Sequence, residues 1–316
     1  MKCLVTGATG FIGRDLCQRL TLEGHSVTAL SRTGSALPDG TPTEALDLAH
    51  ELPGVDRLRG IDAVFHLAGI AHQQAPATAY RTVNEQATVA LARRCAEAGV
   101  GRFVYVSSVK AMGPASTDTR REESDCQPPV EPYGESKWRA ECALRETFRD
   151  AAMQVVILRP ALVYGLEPKG NLALLARGVR RGLPRPPAGG GRSLVALEDL
   201  VEAMLLVSRL AMPGVPTFIV ADPRPYSTRA LYDQLRLAAG KGAGRAWLPR
   251  PQWRLAAAVL DRLGGQRGDS TWHKLFGTEL YSAAALTRAT GWQPRVSFGQ
   301  LAPRMLEPRT AAEQGS

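Results

Sequence analysis

The chain has 316 residues, of which 44% are hydrophobic and 22% charged, and it carries a net charge of +9. That length supports one large domain or a main domain with a smaller partner, and the composition excludes general disorder. The stretch AAMQVVIL at 151–158, apolar but for Gln154, is far shorter than the roughly 20 residues of a membrane span, and the opening MKCLVTGATGFIG lacks the apolar run of a signal peptide.

The first element is a short β run, KCLVTG, that passes directly into TGATGFIG and places Gly7, Gly10 and Gly13 at GxxGxxG spacing. A tight strand-to-helix turn without Cβ atoms lets the backbone approach a pyrophosphate, and the following helix offers it free N–H groups and a positive dipole end. Thr9, Phe11 and Ile12 share that loop. An amphipathic segment over 11–23 leads to a second strand, HSVTALS, ending Ala29-Leu30-Ser31-Arg32. A dinucleotide site for NAD carries a carboxylate here for the ribose 2′-hydroxyl, whereas an arginine suits the 2′-phosphate of NADP. Ser31 cannot supply the carboxylate and Arg32 can pair with phosphate, so NADP(H) is preferred over NAD(H). Asp47 and Leu48 follow the next apolar stretch and are candidates to flank the adenine.

Further along come the strand AVFHLAG, a helical pattern over 79–99, and the strand RFVYVSS, which ends at Ser107-Ser108. Ser108 therefore stands at the carboxyl edge of the sheet, where doubly wound folds bind their ligands. A helical segment over 134–150 is opened by Tyr133-Gly-Glu-Ser-Lys137, with tyrosine and lysine at i and i+4 on one face. An ammonium there favours the phenolate and is expected to lower the tyrosine pKa, so that Tyr133 can exchange a proton while the cofactor exchanges a hydride. The strand QVVILRP completes this half. Segment 166–193 reads as basic and loop-rich, VALEDLVEAMLLV as a helix, TFIVAD as a short strand, and the chain from about 226 as mostly helical, with a polar tail from Glu307.

The alternation of strands and helices predicts an α/β fold: a doubly wound parallel, Rossmann-like sheet with a smaller, mostly helical C-terminal substrate domain. The dinucleotide-binding domain is expected over 1–165 with 194–222 returning to it, the substrate domain over 166–193 and 223–306, and a flexible tail over 307–316. Cys3, Cys17, Cys95, Cys126 and Cys142 are scattered, as are the five histidines, so reduced thiols, a cytoplasmic setting and no metal site are expected. The basic residues form no stripe with interleaved aromatics, which argues against nucleic acid as a partner. A few arginines serving an anionic substrate is the functional alternative to a plain solvated surface.

Taken together, TGATGFIG, HLAG at 66–69, Asn84 in YRTVN, FVYVSS, YGESK and RPALVYG at 159–165 resemble the extended short-chain dehydrogenase/reductase superfamily, in its NAD-dependent epimerase/dehydratase branch. The resemblance covers roughly residues 1–300. It implies a catalytic triad of Ser108, Tyr133 and Lys137, with Leu67, Ala68 and Gly69 lining the cofactor and Pro160 and Val163 near the nicotinamide. It also implies that His66 is a strand residue and that the helices at about 86–99 and 134–148 pair in a homodimer. Sugar-nucleotide 4,6-dehydratases of this family carry Thr-Asp-Glu where this chain has Ser108-Val109-Lys110, and a valine cannot donate a proton, so dehydration is excluded. GLEPKGNLALLARGVRRGLPRP, GRSLVALEDLVEAML and LFGTELYSAAALTRATGWQP resemble bacterial O-antigen (lipopolysaccharide) reductases that act on UDP-2-acetamido-2,6-dideoxy-4-ketohexoses. That likeness implies a UDP-sugar substrate contacted by Ser108, Val109, Lys110 and Tyr133, with Asn171 and Arg192 on its diphosphate. A UDP-hexose 4-epimerase with tightly bound NAD is the alternative within enzymes. A catalytically silent NADP-binding scaffold is the alternative outside them, and the presence of all three catalytic residues speaks against it.

Overall fold

The computed structural model describes residues 1–71, 75–114, 119–167, 170–242, 244–263 and 270–306, without the side chains of Asn171 and Ser270. The first half runs β1 (Lys2–Thr6), α1 (Phe11–Leu22), β2 (Ser26–Ser31), β3 (Glu44–Ala45), α2 (Val55–Leu58), β4 (Ala63–His66) and α3 (Ala77–Tyr80). A π-helical turn at Arg81–Gln86 then leads into α4 (Ala87–Glu97), β5 (Arg102–Val106), a 3-10 turn at Val109–Met112, α5 (Pro132–Phe148) and β6 (Gln154–Pro160). The second half comprises β7 (Leu162–Tyr164), α6 (Gly170–Arg180), β8 (Gly191–Arg192), β9 (Leu194–Ala196), α7 (Leu197–Val207) and β10 (Thr217–Val220). It closes with α8 (Thr228–Ala238), α9 (Arg250–Leu263), α10 (Ser270–Phe276), β11 (Thr278–Glu279), α11 (Ala284–Thr290) and α12 (Phe298–Leu306).

Seven strands form one sheet in the order β10-β6-β5-β4-β1-β2-β3, and every pairing in it is parallel. Because side chains alternate along a strand, each strand feeds two cores. Cys3, Val5, Phe65, Val104 and Leu158 face Leu16 and Leu20 of α1 and Leu200 and Met204 of α7. Leu4, Val64, Phe103, Tyr105 and Ile157 face Leu91 of α4 and Ala140, Leu144 and Phe148 of α5. The chain leaves β1 toward β2 and β3 and then returns on the other side of β1 as β4. The crevice at the carboxyl ends of β1 and β4 is therefore the switch point at which such sheets bind ligands.

A third core gathers Tyr164, Leu172, Leu175, Val179, Leu194, Tyr226, Leu231, Tyr232, Leu235, Phe298 and Leu301. Its presence corrects the loop-rich reading of 166–193. Leu172, Leu175, Ala176 and Val179 recur at i, i+3, i+4 and i+7 and seat α6 on α8. The glycines and prolines that suggested a loop lie after that helix, from Gly182 onward. A second correction concerns VALEDLVEAMLLV, whose first two residues belong to β9 and pair with β7, so that α7 starts only at Leu197. Within 223–306, Leu286 and Trp292 pack into the first of the three cores, against the main sheet, and Trp292 Nε1 donates to Asp199 O at 2.9 Å. The tail over 307–316 lies outside the described residues. Among the described residues no helix is long and apolar enough to cross a membrane, and no cluster of three His, Cys, Asp or Glu side chains could hold a metal.

Candidate active site

The glycine loop opens the switch-point crevice. Gly7 has φ +71°, and a Cβ there would lie 2.8 Å from Ala68 N, so only glycine lets the loop pass the end of β4. A Cβ on Gly13 would come within 2.2 Å of Gly7 O, which is why α1 can start so close beneath the turn. Gly10 is the N-cap of α1; no side chain caps that end, and no acidic residue stands in its first turn. An uncapped, acid-free helix start over a glycine turn suits an anion such as a dinucleotide pyrophosphate. Thr9 and Gly10 are exposed at this edge, while Phe11, Ile12, Leu67 and Val163 pack together on the rim of the first core. Pro160 ends β6 in register with Val220 of β10, on the same edge of the sheet.

HLAG is anchored by His66. Its Nδ1 lies 2.7 Å from Thr6 Oγ1 and its Nε2 lies 2.9 Å from Thr88 Oγ1, and the ring is fully buried. Thr88 gives its own proton to Asn84 O at 2.9 Å and Thr6 Oγ1 already accepts Ala68 N–H at 3.2 Å. Thr88 has already given its proton away, so Nε2–H donates to it, and the neutral ring leaves Nδ1 to accept from Thr6. Burial pushes its pKa down to about 3, with the nearby Lys137 charge acting in the same direction. Ala68 and Gly69 are thus fixed at the crevice by a strand histidine. The buried Asn84 amide clasps Ile70 N and Ile70 O at 2.8 and 2.9 Å and also donates to Ser136 Oγ at 3.1 Å. A Cβ on Gly69 would lie 2.9 Å from Asn84 Oδ1 and 3.4 Å from Lys137 Nζ, so glycine here keeps the lysine open to a ligand.

At the adenosine end, the Ser31 hydroxyl is enclosed in its own turn. It accepts Gly34 N–H at 2.9 Å and lies 2.7 Å from Thr43 Oγ1, whose proton goes to Ser35 O at 2.6 Å. Ser31 must therefore donate to Thr43, so its hydroxyl, 2% exposed, is taken up within its own turn. Arg32, the next residue, is exposed. Asp47 accepts Ala49 N–H at 3.0 Å and so shapes the turn after β3, with Leu48 buried beside it.

Ser108 follows β5 and caps the turn at Val109–Met112, accepting Lys110 N–H at 3.2 Å. Tyr133 and Lys137 lie on the first turns of α5, and the hydroxyls of Tyr133 and Ser108 are hydrogen-bonded. Lys137 Nζ donates to Val106 O at 3.0 Å and sits 4.8 Å from the centre of the Tyr105 ring. The expected lowering of the Tyr133 pKa is not found. Enclosure raises it, the hydrogen bond from Ser108 opposes the rise, and Tyr80 adds to it. Lys137 is also costly to bury: desolvation brings its pKa down to about 8, and Glu141 one turn on pulls it back up.

Glu141 is a residue that sequence reasoning missed. Fully buried, it is gripped by Arg159 through Nε at 3.0 Å and Nη2 at 2.6 Å, by Ser107 Oγ at 2.6 Å, and by Arg145 at 2.9 Å. Its i+4 spacing from Lys137 was the signal available. A second missed residue is Glu279 on β11, which accepts from Lys110 Nζ at 3.0 Å and from Arg192 at 3.2 Å. Nothing in the sequence links positions 169 residues apart. Lys110, Gly134, Arg192, His273, Glu279 and Tyr281 line a cleft of about 270 Å³ next to Tyr133. Val109 is buried behind Lys110 in a small apolar cluster with Ile219 and Tyr281 and does not face this cleft. The side chain of Asn171 lies outside the described residues.

A parallel sheet with a glycine-turn crevice, and a serine, tyrosine and lysine at its carboxyl edge, defines an oxidoreductase of the short-chain dehydrogenase type. The comparisons give the family: residues 3–220 match the NAD dependent epimerase/dehydratase family, and the chain belongs to it. It is 32% identical to a UDP-glucose 4-epimerase of Vibrio cholerae, over 92% of this chain and 90% of that protein. It is 30% identical to a dTDP-6-deoxy-L-talose 4-dehydrogenase (NAD(P)(+)) of Kitasatospora kifunensis, over 82% of this chain and 94% of that protein. The solved structure of MoeE5 in complex with UDP-glucuronic acid and NAD superposes with a TM-score of 0.77 at 27% identity, covering 96% of this chain and 98% of that one. The chain is an NAD(P)-dependent enzyme of this family.

Proposed function

We propose that the protein reduces the 4-keto group of a UDP-linked 2-acetamido-2,6-dideoxyhexose with NADPH, forming a UDP-N-acetylquinovosamine- or fucosamine-type product for surface polysaccharide. The observation that carries the reading is the Ser108–Tyr133 pair, whose phenol is held protonated by its enclosure and is thus a proton donor. Bound nicotinamide supplies the hydride. Ser108 orients the substrate oxygen, Tyr133 gives it a proton, and Lys137, aimed from Val106 O toward Gly69, holds the cofactor ribose. Lys110 and Arg192, with Glu279 between them, leave one net positive charge among the three on the adjoining cleft, which suits a diphosphate. Arg32 without a neighbouring carboxylate supports NADP, and a homodimer through α4 and α5 completes the proposal.

A UDP-hexose 4-epimerase is the second reading, favoured by the 32% identity to the Vibrio cholerae epimerase. Oxidation of NADPH against a panel of UDP-4-keto sugars, with product stereochemistry read by NMR, separates the two. Turnover of UDP-hexoses by protein that retains NAD, with no NADPH consumed on any keto sugar, overturns the reductase.

A further inference from the structure

Twelve large apolar side chains are exposed among the described residues, and five of them fall between Trp247 and Leu263. Trp247 is 68% exposed on the approach to α9; on the helix Leu255 is 66% exposed, Val259 49%, Leu260 58% and Leu263 81%. Leu255, Val259 and Leu263 recur at i, i+4 and i+8, and Leu260 lies beside them, so they form one stripe. The helix is seated by another edge, through Trp253, Ala257 and Asp261, of which only the last two are buried. A stripe of this kind on a helix held along one edge is an interaction surface.

The charge around the stripe says what covers it. Between Arg245 and Leu263 stand Arg245, Arg250, Arg254 and Arg262, and the one acid is Asp261. That carboxylate is turned away from the stripe, accepting from Thr271 N at 3.0 Å and from Thr271 Oγ1 at 2.5 Å. The guanidinium groups of Arg250 and Arg254 lie 5.5 and 5.9 Å from the centre of the Trp272 ring, which holds two cations at the flank of the helix. Leucines along one face, arginines at its flank, tryptophans at the margins and, among the described residues from Arg245 to Leu263, no outward acid describe a helix that lies in the plane of an anionic bilayer surface. A second copy fits poorly, because a two-fold contact would set these arginines against their own copies.

We propose that α9 docks the enzyme on anionic lipid bilayers, with Leu255, Val259, Leu260 and Leu263 entering the headgroup boundary and the flanking arginines meeting lipid phosphates. This is surface binding and needs no spanning helix. It also gives the cleft an orientation. The Asp261–Thr271 bonds join α9 to α10, and His273 of α10 accepts a hydrogen bond from Arg192 at 2.6 Å through its backbone oxygen, so the cleft rim lies one helix from the bilayer.

The test is sedimentation of the full chain with vesicles of phosphatidylcholine alone and of phosphatidylcholine with about 30% phosphatidylglycerol. Binding is expected only with phosphatidylglycerol, accompanied by a blue shift of tryptophan fluorescence and weakened by about 0.5 M salt. Leu255→Ser with Leu260→Ser, both exposed and neither lining the cleft, is expected to lower vesicle affinity about tenfold or more while NADPH oxidation in solution is unchanged. Three outcomes overturn the proposal: no sedimentation with anionic vesicles, undiminished sedimentation of the double variant, or a self-association that the double variant abolishes, which would make a second copy the occupant. The vesicle assay needs no substrate, so it stands or falls separately from the proposed reaction.

Discussion

Replacing Glu141 by Gln removes the charge at the centre of a network that joins the active-site helix to the sheet. Arg159 is 2% exposed and Glu141 is fully buried, so Glu141→Gln leaves a guanidinium with no anion in a site shielded from water. Breaking a buried pair on one side costs about 3–5 kcal/mol. Part of that cost is offset, because Arg159 still donates to Glu123 O at 3.0 Å and the glutamine oxygen can still accept from Ser107. A loss of about 3 kcal/mol is therefore expected, read as a lower urea midpoint and as a fall in melting temperature of roughly 4–5 °C for a chain of this size. Glu141→Met with Arg159→Met removes both charges and should recover most of the loss, since a desolvated pair is no more stable than apolar side chains of similar volume. The same substitution reaches the chemistry through Lys137. Glu141 raises the Lys137 pKa toward its present value of about 8, so its removal lets that pKa fall. The ammonium is then lost at lower pH, and the alkaline limb of the kcat/KM profile should move to lower pH, measured where the variant remains folded. A destabilisation under about 1 kcal/mol, with an unmoved alkaline limb, would refute the account of Glu141 as both clamp and electrostatic partner.

Tyr133→Phe should abolish turnover while NADPH affinity, measured by fluorescence titration, stays within a few-fold, because only the proton donor is lost. His66 titrates at about 3 in the folded protein against 6.5 unfolded, so protons bind the unfolded chain more tightly and stability falls as pH drops through that window. The slope should be about 1.4 kcal/mol per pH unit, and His66→Gln should flatten it in chemical denaturation between pH 6 and 4. For cofactor choice, Arg32→Ser should reduce the NADPH-to-NADH ratio of kcat/KM by about ten- to hundredfold at fixed ionic strength, the worth of one charge-assisted phosphate contact; an unchanged ratio would place Arg32 in solvent. Light scattering at micromolar concentration is expected to show a homodimer, and a particle of one chain's mass would exclude it.

Much of this protein was determined by its sequence because the features concerned are local. Strand periodicity, the glycine turn into α1, the i, i+4 placement of Tyr133 and Lys137, and the ending of β5 just before Ser107-Ser108 each depend on a few consecutive residues. They could be read before any contact was known. Locality also explains the misreading of 166–193, where glycines and prolines after Gly182 masked the apolar spacing of α6, which becomes decisive only when α8 and α12 supply the surface it buries. The tertiary structure decided whatever depends on burial or on distant partners. The Ser31 hydroxyl is used up by Thr43 and Gly34, the Tyr133 phenol is raised because enclosure outweighs its neighbours, and the Glu141–Arg159 pair forms only when α5 lies across β6. Lys110, Glu279 and Arg192 meet only because β11 pairs with β8 beside the turn after β5. A sequence states which groups exist and how they are spaced; which of them lose water, and which charge each then faces, is set by packing, and those two quantities govern the acid–base chemistry of the site.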